Sequence, residues 1–330
     1  MNKIALTGVK PTGTPHIGNY FGAIKPAIEL SQNPELDCFY FIADYHALNF
    51  IKDKTELQKF TREIACTWLA CGLDPEKIVF YQQSKVEEVT ELNWLLCNVT
   101  SKGLMNRAHA YKALVDKSLA NNDDPDALVN MGLYNYPILM AADILLFNTK
   151  YVPVGADQKQ HVEMARDIAK AFNKRYGNCL VVPTEYIQEN NATILGTDGR
   201  KMSKSYGNII PLFCSEQELK KLISSIKTDS SLPSEPKPLN SAVFELFKLF
   251  ATKEQLDSEI VKYNSGLSWA EAKSDLFEVA NNFLKPMREK YNYYMEHYGE
   301  VENILAEGSK KAKEIAKQTI ERCRNAIGLD

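Results

Sequence analysis

Two stretches of the chain carry residue types that can handle a polyphosphate. Gly199-Arg200-Lys201-Met202-Ser203-Lys204-Ser205-Tyr206-Gly207-Asn208 sets two lysines three apart in a small, polar, glycine-flanked loop. Lysine is a mobile point charge that can follow a phosphate through a reaction. Two on one flexible loop can clamp β- and γ-phosphates while an α-phosphate is attacked. Far upstream runs Thr7-Gly8-Val9-Lys10-Pro11-Thr12-Gly13-Thr14-Pro15-His16-Ile17-Gly18-Asn19-Tyr20. Its glycines let backbone approach a phosphate or purine closely, and the helix start after them offers free N–H groups and a positive dipole end to an anion. His16 and Asn19, three apart, project to one side of that helix start. A histidine there can donate to phosphate oxygens as their negative charge grows. Taken singly, each stretch also reads as an ordinary loop or turn; the two together, in this order, point to chemistry.

The elements that must position them alternate. Lys3–Thr7, Cys38–Ala43, Lys77–Tyr81 and a shorter Leu180–Val182 read as strands, with helices over Tyr20–Leu30 and Leu57–Cys71. Strands separated by helix-length segments predict βαβ units around a doubly wound, Rossmann-type parallel sheet. Such a sheet binds ligands beyond the carboxyl ends of its strands, which directs attention to Gly8, Asp44 and Gln82. After about residue 206 strand signals fade. A polar, proline-bearing stretch, Thr228–Asn240, leads into helical periodicity over Ala242–Ala251, Leu256–Tyr263, Trp269–Leu284 and Ser309–Ile327. The expected organisation is a catalytic α/β domain over 1–206 and an α-helical domain over 207–330, with the last helix free to pack back on the first. In that helix Ala312, Ile315, Ala316, Thr319, Cys323 and Ile327 form one stripe. Lys310, Lys311, Lys313, Lys317, Arg322 and Arg324 dominate the rest, as a solvated face or an RNA contact.

The 330 residues exceed one typical domain. A net charge of −3 excludes a histone-like polycation but not a locally basic surface. The seven cysteines include no Cys-x-x-Cys, and the five histidines form no metal-ligand set. Reduced thiols in a cytoplasmic protein without structural metal are expected. The N-terminus leaves no room for a signal-peptide apolar region, and no uninterrupted apolar run is long enough for a membrane span.

The two phosphate-handling stretches resemble the His-Ile-Gly-His and Lys-Met-Ser-Lys-Ser signatures of the class I aminoacyl-tRNA synthetases. The second is matched in full; the first ends in Asn19, as the tyrosine and tryptophan enzymes often have it. The resemblance implies a Rossmann catalytic domain, ATP with Mg²⁺ as co-substrate, a homodimer and an anticodon-binding helical half. It places His16, Asn19, Lys201, Lys204 and Ser205 in catalysis, and Lys10, Pro11, Thr12, Gly18, Met202 and Ser203 around the ATP. Lys10 stands where many bacterial relatives carry Gln. Asn106–Lys112 only loosely matches the family's ATP-site lysine segment, leaving Lys112, with Lys117 as its rival.

Two further segments choose the amino acid. In the apolar helix Tyr136–Leu145, Tyr136, Met140 and Asp143 share one face. A carboxylate there needs a partner or a ligand, because unpaired burial is expensive. An indole N–H is a donor only, and Asp143 supplies the matching acceptor; a core Asp that caps or pairs is the other reading. Tyr151–His161 resembles the family's Gly-x-Asp-Gln segment, with Gly155 and Asp157 toward the ATP ribose and Gln158 toward the amino acid. Met140 stands where tyrosine enzymes typically place Gln, so the chain resembles the bacterial tryptophan branch. Leu6, Gly8, His46, Val152 and Val154 complete the expected pocket, His46 with a structural alternative. The implied substrates are L-tryptophan, ATP and tRNA(Trp). A tyrosine enzyme, a small-molecule nucleotidyltransferase and a non-catalytic RNA-binding module are the rivals.

Overall fold

The computed structural model of the chain describes residues 2–154, 159–187 and 193–329. Five strands, β1 (Lys3–Val9), β2 (Leu36–Ile42), β3 (Ile78–Gln82), β4 (Tyr151–Val154) and β5 (Thr184–Ile187), form a parallel sheet in the order β3-β2-β1-β4-β5. The chain winds outward from β1 through β2 to β3, then returns to place β4 on the other side of β1. This is the doubly wound architecture, and the crevice where winding reverses lies at the carboxyl ends of β1 and β4.

The sheet separates two apolar cores, and strand alternation decides which residue serves which. Register pairs Leu6 with Phe39 and Gly8 with Phe41. Leu6, Phe39, Phe41 and Tyr81 face one core with the Met131–Leu146 and Lys159–Tyr176 helices. Ala5, Tyr40, Ile42 and Phe80 face the other, with Ile17, Met202 and the Lys54–Ala70 helix, and this cluster continues into helices Ala242–Phe250 and Trp269–Glu296. The stripe Ala312, Ala316 and Cys323 of the final helix, Tyr298–Ile327, is fully buried in the first core. That helix crosses β3 so closely that a Cβ on Gly308 would lie 1.8 Å from the Phe80 carbonyl oxygen.

Several local expectations shift. The short strand expected over Leu180–Val182 does not form; Asn173 takes up that backbone instead, accepting from Cys179 and Leu180 N–H and donating to the Leu180 carbonyl at 2.7 Å. The outer strand is β5, a few residues on. β4 carries Pro153, which hides it from a strand pattern; it pairs with Tyr186 of β5, while among the described residues β1 is in register with β4 at Ala5–Tyr151. The helix expected over Tyr20–Leu30 starts at Ile17 and passes through a π-helical turn at Tyr20–Ile24. There the Lys25 N–H bonds the Tyr20 carbonyl, one residue wider than α, directly before Pro26, which has no N–H to give. The helix expected to stop at Leu284 runs through Pro286 to Glu296, because Met287, Tyr291, Tyr294 and Met295 extend its apolar stripe onto the core. The final helix begins at Tyr298 rather than Ser309, and helix Glu216–Ser224, capped by Ser215, is additional.

Candidate active site

The His16 and Lys201–Lys204 stretches meet. His16, buried, forms an antiparallel bridge with Pro211; Ile17 N–H donates to the Ile210 carbonyl at 3.0 Å and Leu212 N–H to the Pro15 carbonyl at 3.0 Å. The Lys204 ammonium donates to the Thr12 carbonyl at 3.3 Å. It packs so near Gly13, whose φ of +123° favours glycine, that a Cβ there would lie 2.9 Å from Nζ. Gly18 leaves room for the His16 ring, 3.0 Å from where its Cβ would stand, and for Met202 at 3.6 Å. Met202 is itself core, which anchors the loop between two exposed lysines, Lys201 and Lys204.

Electrostatics follow from this packing. Burial, with the Lys204 charge beside it, pushes the His16 imidazole down to about 4, so the ring is neutral at pH 7. Its Nδ1 is buried and has no hydrogen-bond partner among the described residues. Partial desolvation of its ammonium also lowers Lys204, exposed though the residue is, against a smaller opposing effect from Glu63. Asn19 Oδ1 accepts from the His16 backbone N–H at 3.1 Å, so that side chain shapes the turn. Lys10 is lowered by burial, and its ammonium sits 5.1 Å above the Phe50 ring.

Two residues not expected from sequence organise the lysine loop. Buried Asn208 accepts from Ser203 N–H at 2.8 Å and donates to Asp198 at 2.7 Å and to the Lys201 carbonyl at 3.1 Å. Asp198, hydrogen-bonded by Asn208 and by Arg200, is held down to about 2. Ser203 and Ser205 hydroxyls lie 2.9 Å apart.

On the opposite face of the sheet, Tyr136, Met140 and Asp143 share one side of the Met131–Leu146 helix, whose N-terminus Asn130 caps. Asp143 is 2% exposed. His46 Nε2 lies 2.8 Å from its Oδ2, and Gln83 Nε2 donates to Oδ1 at 2.8 Å and Oδ2 at 2.9 Å. Burial raises the Asp143 carboxyl, opposed by these two donors. His46 comes from helix Asp44–Ala47 after β2, and Gln83 from the turn after β3. Asp44 and Gln82, the positions singled out after those strands, bond each other at 2.7 Å, and Asp44 also accepts from Ser84 N–H at 2.9 Å. They tie the two loops together, while Gln83 reaches the carboxylate. Tyr136 bonds His161 Nε2 at 2.5 Å and packs edge-on to the His46 ring. Gly8 sits on this face, where a Cβ would strike the Phe41 ring at 2.4 Å, and Leu6 and Val152 are buried there. Gln160 fixes the start of helix His109–Ala120, accepting from His109 N–H at 2.9 Å and donating to the Arg107 carbonyl at 3.1 Å. Lys112 and Lys117 are both exposed on that helix. Val154 ends β4; Gly155, Asp157 and Gln158 lie outside the described residues. Among the described residues no cluster of three His, Cys, Asp or Glu could hold a metal ion.

A parallel doubly wound sheet with a lysine loop docked on the first βα turn defines a class I aminoacyl-tRNA synthetase. The family described as class I tRNA synthetases for tryptophan and tyrosine matches residues 2–285, and the chain belongs to it. It is 52% identical over 328 residues to the tryptophan–tRNA ligase of Pseudomonas putida, covering 98% of this chain and 73% of that one. It is likewise 52% identical over 327 residues to the tryptophan–tRNA ligase of Xylella fastidiosa, covering 98% and 75%. The crystal structure of tryptophanyl-tRNA synthetase from Campylobacter jejuni, complexed with ADP and tryptophan, superposes with a TM-score of 0.90 at 42% identity, covering 99% of this chain and 100% of that one.

Proposed function

We propose that the chain is a tryptophan–tRNA ligase: it activates L-tryptophan with ATP, then transfers it to the 3′ end of tRNA(Trp). The observation that carries this reading is the docking of Lys204 and the Pro211 segment onto the Thr12–Ile17 turn, at the switch point of the sheet. In the first step the tryptophan carboxylate attacks the ATP α-phosphorus in line, forming tryptophanyl-adenylate and releasing pyrophosphate. No general base is required, because an α-carboxyl is ionised at pH 7. Catalysis is positioning plus charge stabilisation. Lys204 and Lys201 follow the pyrophosphate charge as mobile cations. Neutral His16 donates one N–H to it, and Gly13 and Gly18 admit the triphosphate close to backbone. Cations and N–H groups suit an anion, not a metal; Mg²⁺ brought in with ATP would neutralise part of the triphosphate charge. In the second step the terminal ribose hydroxyl of tRNA attacks the activated carbonyl and AMP leaves.

Lys10, Pro11, Thr12, Met202, Ser203, Ser205 and Asn19 complete the ATP side of the proposal, with Lys112, Gly155 and Asp157. Leu6, Gly8, His46, Tyr136, Met140, Val152, Val154 and Gln158 surround the tryptophan, and Asp143 accepts its indole N–H. Helical residues 207–330 take the anticodon. A homodimer is included in the proposal as the family resemblance implies. Among the described residues no helix is long and apolar enough to cross a membrane. The seven free thiols support a cytoplasmic location.

Amino-acid-dependent ATP–pyrophosphate exchange tests the reading. Exchange with tryptophan, and not with tyrosine or without amino acid, is expected. Exchange driven by tyrosine overturns the use of Met140 and Asp143, and silence with both overturns the ligase assignment.

A further inference from the structure

We infer that Gln83 is a positioning residue for indole selection: it holds the Asp143 carboxylate in the orientation that leaves one acceptor position for the ring N–H of the substrate. The inference rests on the proposed tryptophan specificity.

Gln83 is 1% exposed. Its amide nitrogen bonds both oxygens of Asp143, while its amide oxygen accepts from Tyr45 N–H at 3.0 Å. The Tyr45 bond fixes which end of the amide faces Asp143, because only the NH₂ end can donate. Tyr45 belongs to the short helix that carries His46. One glutamine therefore couples the turn after β3, the helix after β2 and the carboxylate on the Met131–Leu146 helix. An ionised carboxylate accepts only, so His46 must present Nε2–H to it. A carboxylate offers about four lone-pair directions. The two donors occupy both oxygens from the His46 and Gln83 sides and leave the remaining capacity for a third donor. The hydrogen bonds from His46 and Gln83 also oppose the burial that raises the Asp143 carboxyl. Among the described residues, the charge of Asp44 also acts to raise the Asp143 carboxyl, and Asp143 in turn acts to raise the Tyr81 phenol; the Tyr136–His161 pair lies beyond His46.

A positioning role makes a prediction that a packing role does not. Gln83→Met keeps the volume but removes the hydrogen bonds to Asp143 and to Tyr45. With the full-length enzyme, kcat/KM in pyrophosphate exchange is measured for tryptophan and for the benzothiophene analogue of tryptophan, which lacks the ring N–H. Gln83→Met should lower the value for tryptophan about tenfold or more and change that for the analogue less than about threefold, collapsing the discrimination between them. The KM for ATP should not move. Equal losses for both substrates, or unaltered discrimination, overturns the inference. Should Gln83→Met not fold, Gln83→Glu supplies the same test by pH. The introduced carboxyl can still donate to Asp143 when protonated, whereas its ionised form repels that carboxylate. Tryptophan discrimination should therefore fall as pH rises through the pair's apparent titration. A pH-independent discrimination in that variant overturns the inference as well. Wild-type exchange with tryptophan is the control: its absence rejects the tryptophan reading itself, a result distinct from any outcome with the variants.

Discussion

Replacing Asp143 separates its charge from its hydrogen-bonding capacity. In Asp143→Asn, the amide oxygen can still accept from Gln83 Nε2 and keep a second lone pair for the indole N–H. The amide nitrogen can donate to His46 Nε2 once that ring takes its other tautomer. The bonds to His46 and to Gln83 at Oδ1 are kept in this arrangement, while the charge and the 2.9 Å Gln83 contact at Oδ2 are lost. Hydrogen bonds to charged groups contribute about 1.5–3 kcal/mol and neutral ones about 0.5–1.5. The change therefore costs about 1–1.5 kcal/mol at the indole, a roughly tenfold fall in kcat/KM for tryptophan. Asp143→Ala removes the acceptor and strands both donors in a site 2% exposed. Each stranded donor costs about 1–3 kcal/mol, so folding stability should fall by about 2–6 kcal/mol and kcat/KM by about a hundredfold. Tryptophan-dependent pyrophosphate exchange and thermal unfolding of the two variants give both numbers. Alanine with wild-type kcat/KM for tryptophan would refute the acceptor role. Asparagine as unstable as alanine would refute the tautomer argument.

Lys204→Ala should slow adenylation far more than it weakens tryptophan binding, in single-turnover rates set against equilibrium titration; equal losses would remove this lysine from the transition state. His16 is held near 4 when folded against about 6.5 unfolded, so the unfolded chain binds more protons between those values and stability rises with pH through that window. The effect is at most about 3 kcal/mol, and His16→Gln should flatten the pH dependence of chemical denaturation there; an unchanged slope contradicts the buried neutral ring. Gly308→Ala should lower the unfolding temperature, because its Cβ would meet main chain at Phe80, which cannot rotate away, at a cost of about 1–3 kcal/mol. Neutralising Lys310 and Lys317 should flatten the salt dependence of tRNA binding more than neutralising Lys313 or Arg324, which already pair with Glu87 and Glu91. Equal effects from both pairs would show that the ion pairs do not hold in solution.

That last contrast illustrates what periodicity reports. The stripe of Ala312, Ala316 and Cys323 was legible in the sequence, since a 3.6-residue period identifies a buried face whatever it packs against. The fate of the basic face was not. Arg322 bonds the Cys179 carbonyl and Asn148, Lys313 and Arg324 meet glutamates of helix 88–97 and its cap, and none of these partners is near in the chain. Strands β1 to β3 were legible from their apolar runs. β4 was not, because Pro153 breaks the pattern, nor was the position of β5, because Asn173 takes the backbone a strand would have used.

The candidate site divides the same way. Residue type and short spacing, together with the family resemblance they carry, suggested the proposed chemistry: two lysines in a glycine-flanked loop, a histidine at a glycine-rich helix start, and one carboxylate on an apolar helix face. Those features are local, and local chemistry survives without coordinates. The tertiary structure decided who meets whom. It brought Lys204 to Thr12 and Pro211 to His16, lowered the His16 titration by burying the ring, and delivered Gln83 to Asp143 from a different strand end. Partnerships of that kind depend on strand order and on how closely two cores approach one sheet, and a one-dimensional pattern contains neither.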